Sequence, residues 1–244
     1  LDPKTGRLIR DGVPSIINPD DKNALEEALR IKDENPDTTV TVVSMGPPQA
    51  DVAMREALAM GADEAILISG REFGGSDTWA TSYIIATAIK KIPDYDIIFC
   101  GRQAIDGDTA QVGPQIAEQL NIPQITYVQK LDIEGDKVIV QRQLEDGYTV
   151  VEAKMPVLLT AIKELNTPRY MTPKGIFEAY NKTVQVWGFN DVPVDAEKIG
   201  LKGSPTNVNR TFSPEAKGKG IMLEGADKET VKTLIAKLDE KHLL

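Results

Sequence analysis

Asp96-Ile-Ile-Phe-Cys100-Gly101-Arg-Gln-Ala-Ile-Asp-Gly-Asp-Thr-Ala-Gln-Val-Gly113 decides how this chain is read. Ile97 to Cys100 is a short apolar run, as expected of a buried strand. The segment that follows, ending near Leu120, has helical apolar spacing. The loop between them is small and polar. Gly101, Gly107 and Gly113 would let the backbone approach a ligand and take positive φ. Thr109 and Gln111 add hydrogen-bonding groups, and the start of the next helix offers free N–H groups to a phosphate. Pro114 fits only a first helical turn, so the cap falls between Thr109 and Gly113. Asp106 and Asp108 run against an anion site. They accept bonds from the loop backbone, meet a ribose hydroxyl, or cap the helix. The loop reads as a phosphate cradle, with an ordinary strand-to-helix connection as the alternative. It is neither G-x-G-x-x-G nor a Walker A loop, which disfavours a Rossmann dehydrogenase and a P-loop NTPase.

Upstream, strands and helices alternate. Asn18-Pro19-Asp20-Asp21 has the composition of a helix start, with Asn as cap, Pro at the first position and acids in the first turn. Ala24, Leu25, Ala28, Leu29 and Ile31 continue it as an apolar stripe until Asn35-Pro36-Asp37. Thr39 to Val43 is β-branched and predicts a strand, with Ser44-Met45-Gly46-Pro47-Pro48 as the turn after it. A second helix carries Val52, Met54, Ala57 and Leu58 and stops at Gly61. Ala65 to Ile68 predicts a strand, and Asp77 the cap of a helix bearing Ala80, Ile84 and Ala88. Such alternation implies an α/β fold, a parallel sheet with helices on both faces. Right-handed crossovers place its strand-to-helix loops along one edge, where ligands bind.

Downstream the chain is β-rich. Ile125 to Val128 and Val138 to Val140 flank the hairpin turn Glu134-Gly135-Asp136, and Tyr148 to Ala153 and Pro156 to Ala161 follow. From Asn166 the prolines suggest loop, and Gly200 to Gly220 an extended arm. A helix from Asp227 to Leu238 closes the chain. The expected organisation is an α/β nucleotide-binding domain over residues 1–190 and a C-terminal arm over 191–244. The chain opens Leu1-Asp-Pro-Lys-Thr-Gly6 in turn chemistry, without an initiator Met.

Composition excludes several functions. A net charge of −9 argues against nucleic acid and anionic membrane as partners. Neither a transmembrane run nor a signal peptide is present, so a cytoplasmic location is expected. The chain has one cysteine, Cys100, and one histidine, His242. That pair is too sparse for thiolate–imidazole catalysis or a His/Cys metal site, and no catalytic or metal-ligating set is expected. Cys100 ends an apolar strand and is expected to be a core residue. Aromatic content is only 5%, so a flavin would be held mainly by backbone and small residues.

Five strings, in order, resemble the beta subunit of electron transfer flavoprotein. They are Ile17-Asn-Pro-Asp-Asp-Lys-Asn-Ala-Leu-Glu-Glu-Ala-Leu29, Ser44-Met-Gly-Pro-Pro-Gln49, Ala57-Leu-Ala-Met-Gly-Ala-Asp63, Gly101-Arg-Gln-Ala-Ile-Asp-Gly-Asp-Thr-Ala-Gln-Val112 and Leu165-Asn-Thr-Pro-Arg-Tyr170. The resemblance implies a fold related to adenine-nucleotide-binding hydrolases. It also implies a further strand before Leu1 and a homologous alpha subunit, on which the arm packs and which carries a redox-active FAD. The beta subunit would hold AMP in the conventional type, or a second FAD in the anaerobic, electron-bifurcating type. The implied nucleotide contacts are Asn18, Pro19, Asp20 and Asp21; Ser44, Met45 and Gly46; and Gly101, Arg102, Gln103, Ala104, Ile105, Asp106, Gly107, Asp108, Thr109, Ala110, Gln111 and Val112. Leu165 would be the apolar anchor of a loop docking an acyl-CoA dehydrogenase, completed by Asn166, Pro168, Arg169 and Tyr170. Gly107 and Ala110 are small where the AMP type has larger residues, so FAD is expected. NADH would then be the electron donor, with ferredoxin or flavodoxin and an acyl-CoA dehydrogenase-type enzyme as acceptors. The competing class is a stand-alone adenine-nucleotide-binding stress-type protein without flavin.

Overall fold

A computed structural model describes residues 15–209 and 218–244. The turn expected at Leu1–Gly6, the strand expected before Leu1 and the middle of the expected arm lie outside the described residues. The chain divides into one compact unit ending at Asn207 and a second containing Val208–Leu244.

The first unit is α/β, as the alternating pattern requires. Helix α1 (Pro19–Glu34) leads to strand β1 (Thr41–Met45), helix α2 (Asp51–Met60), strand β2 (Glu64–Ile68), helix α3 (Thr78–Ile89), strand β3 (Ile97–Gly101) and helix α4 (Val112–Leu120). Strands β4 (Gln124–Glu134), β5 (Lys137–Gln143), β6 (Tyr148–Lys154) and β7 (Val157–Ala161) follow, then helix α5 (Pro173–Asn181), strand β8 (Val184–Trp187) and the single-turn α6 (Gly200–Gly203). The described strands form two sheets. One is parallel, in the order β1-β2-β8; the other is mixed, in the order β3-β7-β4-β5-β6.

Two strands show why the apolar runs are continuous rather than alternating. On β2, Ala65 and Leu67 pack with α1, α2 and α5, while Ile68 packs with Ile84 and Ala88 of α3. On β7, Val157, Leu159 and Ala161 join one cluster, and Leu158 joins Ile116 and Ala117 of α4 in another. A strand covered by helices on both faces has no polar side.

β4 joins the parallel and antiparallel parts. Its first half pairs parallel with β7 and its second half antiparallel with β5. Ile125 pairs with Leu159, yet Val128 pairs with Ala161, so one extra residue is taken up between them. Tyr127 sits there at φ 58°. This is a β-bulge, a device that bends a strand and redirects a side chain. The expected strand Ile125–Val128 is therefore only the start of an eleven-residue strand.

The loop expected from Asn166 onward contains α5, whose start is legible after the fact. Thr172 accepts the N–H of Gly175 at 2.9 Å, and Pro173 takes the first helical position. Proline there starts a helix rather than interrupting one. β8 is four residues long and was not expected; it exists because β2 offers it a parallel edge.

The second unit contains helix α7 (Lys228–Glu240), with Asp227 capping it through the N–H of Thr230 at 2.8 Å. Its apolar residues Val231, Leu234 and Ile235 are exposed.

Candidate functional site

The loop after β3 is built jointly with the start of α1. β3 runs one residue further than expected, through Gly101. Arg102 N–H then reaches Ala161 C=O at 2.9 Å, which extends the pairing with β7. Asn18 occupies the cap position of α1 but makes no capping bond to its own helix. Its Nδ2 donates to Gln103 C=O and to Asp21 Oδ2, each at 2.9 Å, and its Oδ1 accepts Ile105 N–H at 3.1 Å. Asp21 Oδ1 accepts Gly101 N–H at 2.5 Å. Burial raises the Asp21 carboxyl above the usual aspartate value, against the pull of these hydrogen bonds; the charge of Asp20 adds to the rise.

The glycines divide by role. A Cβ on Gly101 would lie 2.5 Å from the backbone nitrogen of Asp21, and one on Gly113 would lie 3.1 Å from Thr160 Cγ2. At both positions glycine lets a helix sit close to the sheet, a role the sequence reading did not give them. A Cβ on Gly107 would meet nothing within 4 Å. The positive φ values expected of these glycines fall instead on Asp108 (52°) and Ala110 (53°). Non-glycine residues in that region cost energy and cluster at binding sites.

Of the two acidic residues, Asp108 is tied within the loop. Asp108 accepts a bond from the Gln103 side chain, while its own N–H closes a turn on Ala104 C=O at 2.9 Å. Arg102 stands 3.4 Å from Asp20, and its guanidinium lies 6.0 Å from the ring centroid of Tyr127, the bulge residue. The Arg102 Nε, the atom that faces Asp20 Oδ2 at 3.4 Å, is buried and ion-paired without a hydrogen bond of regular geometry. α4 begins at Val112 with Gln111 at its cap, and the Gln111 side chain accepts from Thr78 at 2.9 Å. The first intrahelical bond, Gln115 N–H to Gln111 C=O at 3.0 Å, leaves the N–H groups of Val112 and Gly113 at the open end. An exposed glycine, a guanidinium and a helix start are compatible with a nucleotide's phosphates.

The structure also brings Ser44 to this edge. It lines a cavity of about 210 Å³ together with Asn18, Asp21, Leu25 and Met54. Ser44 and Met45 are the last residues of β1 rather than turn residues, and the turn begins at Gly46, whose N–H meets Ile68 C=O at 3.0 Å. Met45 packs toward α3 and does not line that cavity. Sequence reasoning missed Tyr127 and Thr78; only strand register and helix packing bring them to the loop.

The family model for the electron transfer flavoprotein domain matches residues 5–192. The chain belongs to the electron transfer flavoprotein family. An electron transfer flavoprotein subunit beta of Thermoanaerobacterium thermosaccharolyticum is 61% identical, over all of this chain and 94% of that protein. The caffeyl-CoA reductase-Etf complex subunit CarD of Acetobacterium woodii is 57% identical, again over all of this chain and 94% of that protein. The acryloyl-CoA reductase electron transfer subunit gamma of Anaerotignum propionicum is 53% identical over 98% of this chain and 92% of that protein. Within the electron transfer flavoprotein family this chain is a beta subunit, and its function is electron transfer.

The segment expected to dock a partner is mostly turned inward. Leu165 is 8% exposed and packs with Ala24, Ile125 and Val128, so as it stands it offers a partner no surface. Asn166 donates to Asn23 C=O and to Glu27, at 3.0 and 2.8 Å. Arg169 makes a forked pair with buried Glu26, its Nε at 2.9 Å and its NH2 at 3.0 Å, and reaches Asp33 at 2.7 Å. Hydrogen bonds to Glu26, then to Asp33, raise the Arg169 pKa, so it is a permanent cation. These residues latch the segment onto α1. The exposed apolar surface nearby is Tyr170 (94%), Phe177 (77%) and Tyr180 (72%), the last two on α5.

Cys100, expected in the core, is half-buried and packs against the cluster of Ile116, Ala117 and Leu158. Desolvation, and after it the charge of Asp21, push it up to about 12. Iodoacetamide at neutral pH is expected to leave it unlabelled in the folded protein and to label it fully in urea. Labelling of the folded protein at the rate of a free thiol would refute this. Among the described residues no group of three or more His, Cys, Asp and Glu residues suits a metal ion. No helix among them is long and apolar enough to cross a membrane.

Proposed function

We propose that the edge formed by Asn18, Ser44 and residues 101–112 holds the adenine nucleotide portion of an FAD in an electron-bifurcating electron transfer flavoprotein. The small, exposed Gly107 carries this reading, because a longer pyrophosphate needs room and a Cβ there would meet nothing within 4 Å. The guanidinium of Arg102, at the start of the same loop, supports it. So do the names of two relatives, which tie those proteins to caffeyl-CoA reductase and acryloyl-CoA reductase. FAD supplies hydride and single-electron chemistry when bound; the chain binds it, orients it and shapes its surroundings. NADH is the donor in this reading, and ferredoxin or flavodoxin and an acyl-CoA dehydrogenase-type enzyme are the acceptors. The alpha subunit meets the chain beyond residue 191, with the exposed apolar face of α7 as the natural contact. The location is cytoplasmic.

A cofactor count on the purified complex tests the reading. Two FAD per heterodimer are expected. One FAD with one AMP would assign the site to a structural AMP, and nucleotide without any flavin would point to a stress-type protein.

Docking of the partner dehydrogenase belongs with Tyr170 and Phe177 rather than with Leu165. Tyr170→Ala and Phe177→Ala are each expected to slow electron transfer to the dehydrogenase about tenfold, as exposed aromatic anchors do, with flavin content intact. Unchanged rates in both variants would remove this surface from consideration.

A further inference from the structure

We propose that Asn18 and Asp21 are positioning residues, whose side chains hold the backbone of residues 101–105 in the shape that takes the nucleotide. This rests on the reading of the loop as the nucleotide site, and it concerns how that site keeps its shape.

An asparagine at a helix cap ordinarily accepts an N–H from its own first turn. Asn18 forgoes that bond. Its amide has two donors and one oxygen. Both donors are committed, to Gln103 C=O and to Asp21, and the oxygen holds Ile105 N–H. The side chain thus brackets the backbone on either side of Ala104. Asp21 is equally occupied, one oxygen on Gly101 N–H and the other on Asn18. Between them the two residues hold three backbone groups of the loop from 80 to 87 positions away in the chain.

The other half of the loop is held differently, by Asp108 within the loop and by Thr78 on Gln111. Beyond Ile105 stand Gly107, where a Cβ would meet nothing within 4 Å, the left-handed Asp108 and Ala110, and the start of α4. One half is tied to the start of α1, and the other carries the exposed glycine and the helix start. A cradle ordered in advance spares the ordering cost that binding would otherwise carry. The carboxylate and the amide do this work from behind the loop. An acidic residue can accordingly belong to a phosphate site without meeting the phosphate.

The test uses Asn18→Ala, Asp21→Ala and Asp21→Asn in the full-length protein as purified. Two quantities are read: backbone amide exchange of Gly101 and Ile105 after the nucleotide is stripped, and the release rate of bound nucleotide. For Asn18→Ala, exchange at Ile105 and nucleotide release are each expected to rise on the order of tenfold, the loss of two ordinary hydrogen bonds. Asp21→Asn keeps an oxygen for Gly101 N–H, and is expected to recover most of the protection lost in Asp21→Ala. Should Asp21→Ala not fold, the Asn18 variant decides alone. Faster release with unchanged amide exchange would make Asn18 a direct ligand contact and overturn the proposal, as would no change in either quantity. If the unaltered protein holds no adenine nucleotide, the nucleotide reading fails, and the exchange data still decide what holds the loop.

Discussion

Gly101→Ala is expected to cost on the order of 3 kcal/mol of stability, the upper range for forcing an atom into a packed site, and to empty the nucleotide site. The added carbon would lie 2.5 Å from Asp21 N, 2.8 Å from Asp20 C and 2.9 Å from Asp20 Cβ. Two of these atoms belong to the backbone of α1, so no rotamer change relieves the contact. The first turn of α1 must move away, and the bond from Gly101 N–H to the Asp21 carboxylate goes with it. Leaving that acceptor unmet adds to the cost. The same movement withdraws Asn18 from Gln103 and Ile105. Gly107→Ala is the control. With open space around it, its stability should stay within about 0.5 kcal/mol of the parent, as for an ordinary surface change. Urea midpoints and nucleotide absorbance of the purified protein report both quantities. A Gly101→Ala protein with parental midpoint and full nucleotide would show that α1 and β3 do not meet this closely.

Arg169→Ala is expected to destabilise by about 3 kcal/mol, the low end for removing one partner of a buried pair. Glu26 is 5% exposed, and its carboxylate accepts from the Nε, the NH2 and the backbone N–H of Arg169. Alanine removes the two guanidinium donors and leaves the charge buried. Asp33 contributes less, because its side chain is 61% exposed and water screens the pair. Its hydrogen bond with Arg169 holds the Asp33 carboxyl below the usual value against desolvation, and the charges of Arg169 and Lys32 add to the lowering. The Asp33 share is therefore present above the ordinary aspartate value and lost as pH falls through the lowered one. Adding Glu26→Gln to the variant should recover part of the loss, since an uncharged side chain no longer lacks its partner. Denaturant midpoints at neutral pH and proteolysis within residues 165–172 report the effect. An Arg169→Ala protein as stable as its parent, with an intact segment, would make the latch dispensable.

The core was legible because its signals are local. The stripe Ala24, Leu25 and Leu29 and the run Ala65 to Ile68 meet the spacing of a packed helix and a buried strand wherever they occur. The cap at Asp77 was equally readable, and it does accept Ala80 N–H at 3.0 Å. Thr172-Pro173 carried a readable helix start that the surrounding prolines obscured. β8 carried no such signal, since four residues gain strand form only from a neighbour that pairs with them. Tyr127 could not be placed either. A bulge is a mismatch of register between two strands, and a single strand's residues do not state the register.

The amino-acid sequence by itself determined the α/β class, the strand-to-helix loop after Cys100, the inert character of that cysteine's setting and the family strings. Each depends on residues within a few positions of one another, where periodicity, turn chemistry and composition act. Tertiary structure alone decided what the polar side chains do. Asn18 turned from its own helix to a loop 85 residues away, Arg169 turned inward to Glu26, and Gly101 proved to serve α1. A hydrogen bond or a close approach depends on which distant atoms arrive within about 3 Å, and packing sets that distance.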